Sequence, residues 1–195
     1  MAPQGAIFVV ESTGFVVSEP RSERKSYEES CRILQERGWL NPGDIPALPP
    51  GRPAYEDEQL GVEFFRTKVA DELLENLTLP RTFFGRSEIQ NVSFSGTDLS
   101  ESTLCWNDFI RVNFSNSDLS NSDLRGAIFN QVSFSSADLS AADMRRSSFN
   151  GCDFSNAIFR KTKLTKAQAK QLCLSDEQLQ QIDLQDSDGE DPGGG

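Results

Sequence analysis

In the stretch VNFSNSDLSNSDLRGAIFNQVSFSSADLSAADM, Val112 to Met144, a large apolar residue returns at every fifth position of an otherwise serine-rich sequence. Strands bury every second residue and helices about one in 3.6, so neither regular element explains a period of five. Stepping by five from Phe84 gives Ile89, Phe94, Leu99, Leu104, Phe109, Phe114, Leu119, Leu124, Phe129, Phe134, Leu139, Met144, Phe149, Phe154, Phe159 and Leu164. All seventeen are Phe, Leu, Ile or Met, types that make up about 22% of the chain, so chance does not produce the series. Two residues before each stands a small or compact side chain, such as Thr82, Val92, Val112, Val132, Ala142 and Cys152; Asn107 is the departure. The unit is small–x–large–x–x.

A period of twenty is superposed on the five. NVSFS, RVNFS, QVSFS and GCDFS begin at Asn91, Arg111, Gln131 and Gly151. Four units then make one turn of a four-sided solenoid, with large and small residues inward and the other three outward. Residues twenty apart stack in columns: Phe94–Phe114–Phe134–Phe154, Leu99–Leu119–Leu139–Phe159 and Leu104–Leu124–Met144–Leu164. Coils at the strand spacing of about 4.8 Å bond to those above and below, and seventeen units give about four coils, a rod on the order of 20 Å long. Four large side chains per coil fill so narrow an interior, which leaves only small ones for the remaining inward slots.

The units in SADLSAADM and NSDLSNSDLRGAIF resemble the tandem A(D/N)LXX units of the pentapeptide-repeat family, over residues 82–164. The resemblance implies an all-β solenoid, a right-handed quadrilateral β-helix. What it implies about function is broader: some members resemble DNA in charge and shape and protect a type II topoisomerase from inhibitors, whereas others act as effectors, immunity factors or scaffolds.

The flanks are not repetitive. Residues 1–80 are expected to form a small α+β segment that caps the first coil: a hairpin in AIFVVESTGFVVSE, a helix over Glu23–Arg37 with Tyr27, Cys31 and Leu34 on one face, and a stiff proline-rich linker over residues 41–54. A second helix is expected over Glu56–Leu77, because Val62, Phe65, Val69, Leu73 and Leu77 are three or four apart. After the 81–164 repeats, residues 165–184 read as a helical cap: one helix from Lys166 and another N-capped by Ser175, with Leu172, Leu174, Leu179 and Ile182 over the last coil. These helices leave monomer and homodimer both open. Residues 185–195 read as a disordered acidic tail.

Composition narrows function. The chain has no histidine, so its many serines lack the usual base, and no motif gives Lys161, Lys163 or Lys166 a partner. Cys31, Cys105, Cys152 and Cys173 form no CxxC pair, which fits a reduced, cytoplasmic protein. No apolar run reaches a membrane span, and a net charge of −11 opposes direct binding to nucleic acid or an anionic membrane surface. That charge lies at the ends, since residues 81–164 hold nine acids and nine bases. Asp98, Asp118 and Asp138 stack as an outward column, read as local turn acceptors in preference to a cation site. No catalytic residue, metal ligand or cofactor is assigned.

The repeat departs from its own pattern at CWNDFI, Cys105–Ile110. Trp106 stands at an outward position with Arg86 a coil below and Gly126 and Arg146 above, while Ile110 faces outward on the adjoining side. Trp106 either packs under the N-terminal segment or, with Arg86, Arg146 and Ile110, forms a partner-binding corner, Trp and Arg being enriched at hot spots. The expected function is a rigid, non-enzymatic protein-interaction module, protective or immunity-type; the alternative is DNA mimicry protecting a gyrase-type topoisomerase.

Overall fold

The computed structural model describes residues 23–43, 45–53 and 61–185. The five-residue beat winds into a four-sided β-solenoid. On one side, pairing in steps of twenty runs from Glu63 through Phe83, Thr103, Asp123, Asp143 and Lys163 to Asp183, which makes six turns where about four were expected. The next side is a five-stranded parallel sheet of β2 (Lys68–Ala70), β4 (Glu88–Gln90), β5 (Asp108–Ile110), β6 (Ile128–Asn130) and β7 (Ser148–Asn150). The remaining two sides are held by single bridges, among them Asp98 to Asp118 and Asn113 to Ser133.

The predicted columns form. Phe94, Phe114, Phe134 and Phe154 stack with ring centroids 5.4, 5.5 and 4.9 Å apart and planes within 15° of parallel. Phe109, Phe129 and Phe149 make a second stack at 5.1 and 5.3 Å, meeting the first edge-on. Leu99, Leu119, Leu139 and Phe159 are fully buried, as are Leu104, Leu124, Met144 and Leu164. Burying an aliphatic or aromatic side chain contributes about 1.5–3 kcal/mol, so these columns dominate the stability of the rod. The inward small residues bond the chain to itself: Ser122 Oγ donates to Leu119 O, and Thr162 Oγ1 to Leu139 O one coil below.

The helix expected over Glu56–Leu77 is not there. Its described part, residues 61–77, is the first coil, carrying β1 (Glu63–Phe65) and β2. β1 pairs with β3 (Phe83–Gly85), and Phe64 stacks on Phe84 at 4.8 Å. Phe64, Val69, Leu74 and Leu79 are the buried set, extending the five-beat back from Phe84, while Phe65 and Leu73 of the supposed helical stripe are 40% and 65% exposed.

Both ends are covered. Helix α1 (Tyr27–Glu36) is N-capped by Ser26 and seals the first coil with Cys31 and Leu34. Ser30 Oγ accepts from Thr78 N–H, and Arg37 donates to Glu72 and to the Leu73 carbonyl, so open backbone edge groups find partners. The proline-rich strap then climbs the outside: Arg81 donates to Pro49 O, Thr103 Oγ1 to Pro53 O and Arg52 to Asn121 O. The expected hairpin and acidic tail lie outside the described residues, apart from Gln185.

At the far end β8 (Lys163–Thr165) leads into helices α2 (Lys166–Gln171) and α3 (Asp176–Gln181) and then β9 (Asp183–Gln185), which pairs back on β8 with Leu184 above Leu164. The cap therefore keeps the twenty-residue step. Each helix opens with a capping box, Thr165/Gln168 and Ser175/Gln178. The Gln168 amide donates to Met144 O and Ser147 O, and ten residues on Gln178 donates to Phe154 O and Ala157 O. Of the expected capping residues, Leu172, Leu174 and Ile182 pack on the core. Leu179 does not, being 36% exposed; the neighbouring Gln178 takes the buried position because its amide satisfies two edge carbonyls that a leucine cannot.

Candidate functional site

A quadrilateral coil turns four times, and each turn uses the residue two after the large one in the left-handed region. Across the described coils these positions run from Arg66 (φ 49°) to Lys161 (φ 58°). Glycine adopts this conformation most easily because it has no Cβ to crowd the following carbonyl, and asparagine follows because its short amide hydrogen-bonds locally. One corner follows that preference with Asn76, Gly96, Asn116 and Asn156, and departs from it only at the small Ser136. The corner between the first two sides does not follow it: it reads Arg66, Arg86, Trp106, Gly126 and Arg146, with Lys166 next in the column.

Trp106 is 55% exposed. Its indole lies flat across Gly126 of the coil above: a Cβ at Gly126 would sit 2.6 Å from two carbons of the six-membered ring, so only glycine leaves room. Arg86 and Arg146, predicted beside it, occupy the same corner column and are exposed. Ile110 lies on the adjoining sheet in β5 and is half-buried. The described strap bonds at Arg81, Thr103 and Asn121, and Trp106 stays more than half exposed beside it.

The irregular inward residue Asn107 is what lets the strand continue beneath Trp106. Its Oδ1 accepts from Ser87 N–H at 2.7 Å, and its Nδ2 donates to Phe84 O and Cys105 O. Sequence reasoning missed one surface residue of this region. Ile128 is 50% exposed, pairs with Asp108 and stands two residues after Gly126. An apolar residue in the outward slot before Phe129 was the signal for it.

Next to the corner, Arg125 and Arg145 fold back onto Asp123 and Asp143, with N–O distances of 2.7 and 2.6 Å. Burial pushes the Asp143 carboxyl up, but hydrogen bonds and charge from Arg145, with charge from Arg125, outweigh it and hold the group below the usual aspartate value. Burial pushes the Cys105 thiol up to about 11, which keeps it protonated and unreactive near neutrality. Asp98, Asp118 and Asp138 each accept the N–H two residues on, from Ser100, Ser120 and Ser140, at 2.9–3.0 Å, the Asx-turn arrangement. Among the described residues no group of carboxylate and cysteine side chains is arranged to hold a metal, and no helix is long and apolar enough to cross a membrane.

The pentapeptide-repeat family model matches in eight copies over residues 108–146 and 137–176. Among curated proteins no sequence matches. Solved structures share the fold. A pentapeptide-repeat protein of the Arabidopsis thaliana thylakoid lumen, AT2G44920, superposes with a TM-score of 0.53 at 26% identity, over 55% of this chain and 74% of its own. HetL of the cyanobacterium Nostoc sp. strain PCC 7120, involved in regulating heterocyst differentiation, gives 0.50 at 18% identity over 52% of this chain. The match spans 48% of HetL, about half its length. Trypsin-treated QnrB1, a plasmid-mediated fluoroquinolone resistance protein, aligns over 64% of this chain and 84% of its own at 13% identity with a TM-score of 0.28, too loose a superposition to carry inference.

Proposed function

For a chain of pentapeptide repeats wound into a quadrilateral β-helix, we propose the role of a rigid, non-enzymatic protein-interaction module whose partner docks on the corner of Arg86, Trp106 and Arg146. The observation that carries this reading is the indole laid over Gly126, more than half exposed, in a column of cations. Arginine and tryptophan occupy positions where the backbone favours glycine or asparagine, as Arg81, Glu101, Arg111 and Lys161 also do at other corners, so this corner is set apart by its exposed indole between arginines. Ile110 and Ile128 extend the apolar part onto the flat sheet. The complementary partner surface is acidic, with an apolar side chain facing the indole.

DNA mimicry finds less support. The solenoid from Val62 to Leu164 holds 13 acids against 11 bases, and its most charged corner is basic, so it lacks the continuous negative surface of a duplex. Purified protein is expected to leave a gyrase supercoiling assay unchanged with and without inhibitor.

Affinity capture from native lysate at physiological salt tests the docking corner. Trp106→Ala is expected to lose the captured partner by about 2 kcal/mol or more, the loss typical of a hot-spot residue. Gly126→Ala, which forces the indole off its seat without deleting it, should weaken capture and shift tryptophan emission. Capture indifferent to both substitutions would remove the corner from the interface.

A further inference from the structure

The column that carries Trp106 leads to an acidic segment of the same chain. In steps of twenty it reads Arg66, Arg86, Trp106, Gly126, Arg146 and Lys166, and the next position in the series is Asp186. The register of the last two strands puts that position at the head of the column, because Gln185 pairs above Thr165 and Thr165 directly precedes Lys166. The segment that starts there, DSDGEDPGGG over residues 186–195, lies outside the described residues. It carries four carboxylates, Asp186, Asp188, Glu190 and Asp191, and no cation.

Charge and length both match the corner. Between its head and Trp106 the exposed charged groups are Arg146 and Lys166, and the neighbouring carboxylates Asp123 and Asp143 are held by Arg125 and Arg145. Level with the indole the surface changes: Asp108, two residues past Trp106, is exposed, and so is the apolar Ile128. The segment changes in the same order, with its acids first and Pro192 and glycines after them. Four coils separate position 186 from Trp106, about 19 Å at the strand spacing, and six extended residues from Asp186 to Pro192 advance about 20 Å. The acids therefore run out where the cations do, and Pro192 reaches the level of the indole.

We propose that residues 186–192 lie back along this column as an occupant supplied by the same chain, with carboxylates on Lys166 and Arg146 and the Pro192 ring on Trp106. Ammonium and guanidinium groups form charge-assisted hydrogen bonds with carboxylates, and a proline ring fits the flat apolar face of an indole. A tether this short holds the tail at an effective concentration of about millimolar, so weak contacts suffice. A partner that reads the corner must displace the tail; that consequence alone rests on the docking role proposed above.

The test compares the full chain with two full-length variants: Pro192→Ala, and a neutral tail combining Asp186→Asn, Asp188→Asn, Glu190→Gln and Asp191→Asn. The indole Nε1–H resonance of Trp106, told from that of Trp39 by its loss in Trp106→Phe, should differ between parent and neutral tail at low salt. Added salt should move the parent resonance to the neutral-tail position as the charges are screened. Acrylamide quenching of Trp106, taken as the difference from Trp106→Phe, should rise about twofold when the tethered tail no longer covers the indole, and by less in Pro192→Ala. Identical resonances and quenching in all three chains at low salt overturn the proposal. A difference that fades on dilution also overturns it, since the occupant is then the tail of a second copy. Partner capture separates this contact from the docking role. A tail-dependent Trp106 signal with capture indifferent to Trp106→Ala removes the docking role and leaves the contact standing; Trp106-dependent capture without a tail signal does the reverse.

Discussion

Two corners of the same solenoid carry the same backbone and opposite side chains. Asn76, Gly96, Asn116 and Asn156 turn the chain with residues suited to positive φ; Arg66, Arg86, Trp106 and Arg146 make the same turn with residues that are not. The quiet corner shows the residues that make this turn at least cost, and the other two corners, with Arg81, Glu101, Asn121 and Lys161 and with Asp71, Asn91, Arg111 and Gln131, mix both kinds. The departure at the Trp106 corner is therefore not a demand of the turn, and the difference separates the architecture from what has been added to its surface. The comparison assumes that both corners rest on one continuous core. Phe114→Ala, in the middle of the stacked column, tests that assumption: about 3–5 kcal/mol of stability should be lost. Loss should be read by denaturant unfolding as one transition, with tryptophan emission and circular dichroism changing together. Separate transitions would mean that neighbouring coils do not share their stability and that the corners cannot be compared as one body.

The large residues from Phe84 onward were legible because seventeen in-phase positions leave no rival period. The first coil was not. Within residues 62–79, Val62, Phe65, Val69, Leu73 and Leu77 satisfy helical spacing while Phe64, Val69, Leu74 and Leu79 satisfy the five, and the doublets Phe64–Phe65 and Leu73–Leu74 feed both patterns. Eighteen residues cannot decide between those periods locally; only the phase carried back from Phe84 does. The cap shows a different limit. Its helices were readable from Lys166 and Ser175, but burial of Gln178 over Leu179 depends on which edge carbonyls lie beneath, and that is a tertiary fact. At the candidate site the alignment of Arg86, Trp106, Gly126 and Arg146 followed from arithmetic alone. The flat lie of the indole and the positive φ at every turn needed coordinates.

A smaller effect sharpens the contrast between corners. Asn116→Arg places a residue of the decorated corner in the quiet one, with φ at 59°. Arginine lacks the short amide whose local hydrogen bonding offsets the strain of positive φ, so the change should cost about 0.5–1 kcal/mol, measured by chemical denaturation against the parent chain. A neutral outcome would mean that arginine sits in these turns without penalty, and the presence of Arg86 and Arg146 would then say nothing about selection for a partner.

The smallest effect concerns the charges beside the decorated corner. Asp143 holds Arg145 at 2.6 Å, which keeps that guanidinium on its own side of the rod and out of the Trp106 column. Because the carboxyl is held below its usual value in the folded chain, the pair adds stability above the unfolded aspartate value, near pH 4, and that contribution fades as pH falls through the lower folded value. Asp143→Asn should therefore flatten the acid side of a stability-against-pH curve, with a difference from the parent of below about 1 kcal/mol at neutral pH. It also removes the carboxylate onto which Arg145 folds. If partner capture then strengthens in low salt while stability falls, the pair restrains a cation that the corner can use; if capture is unchanged, the basic character of the interface resides in Arg86 and Arg146 alone.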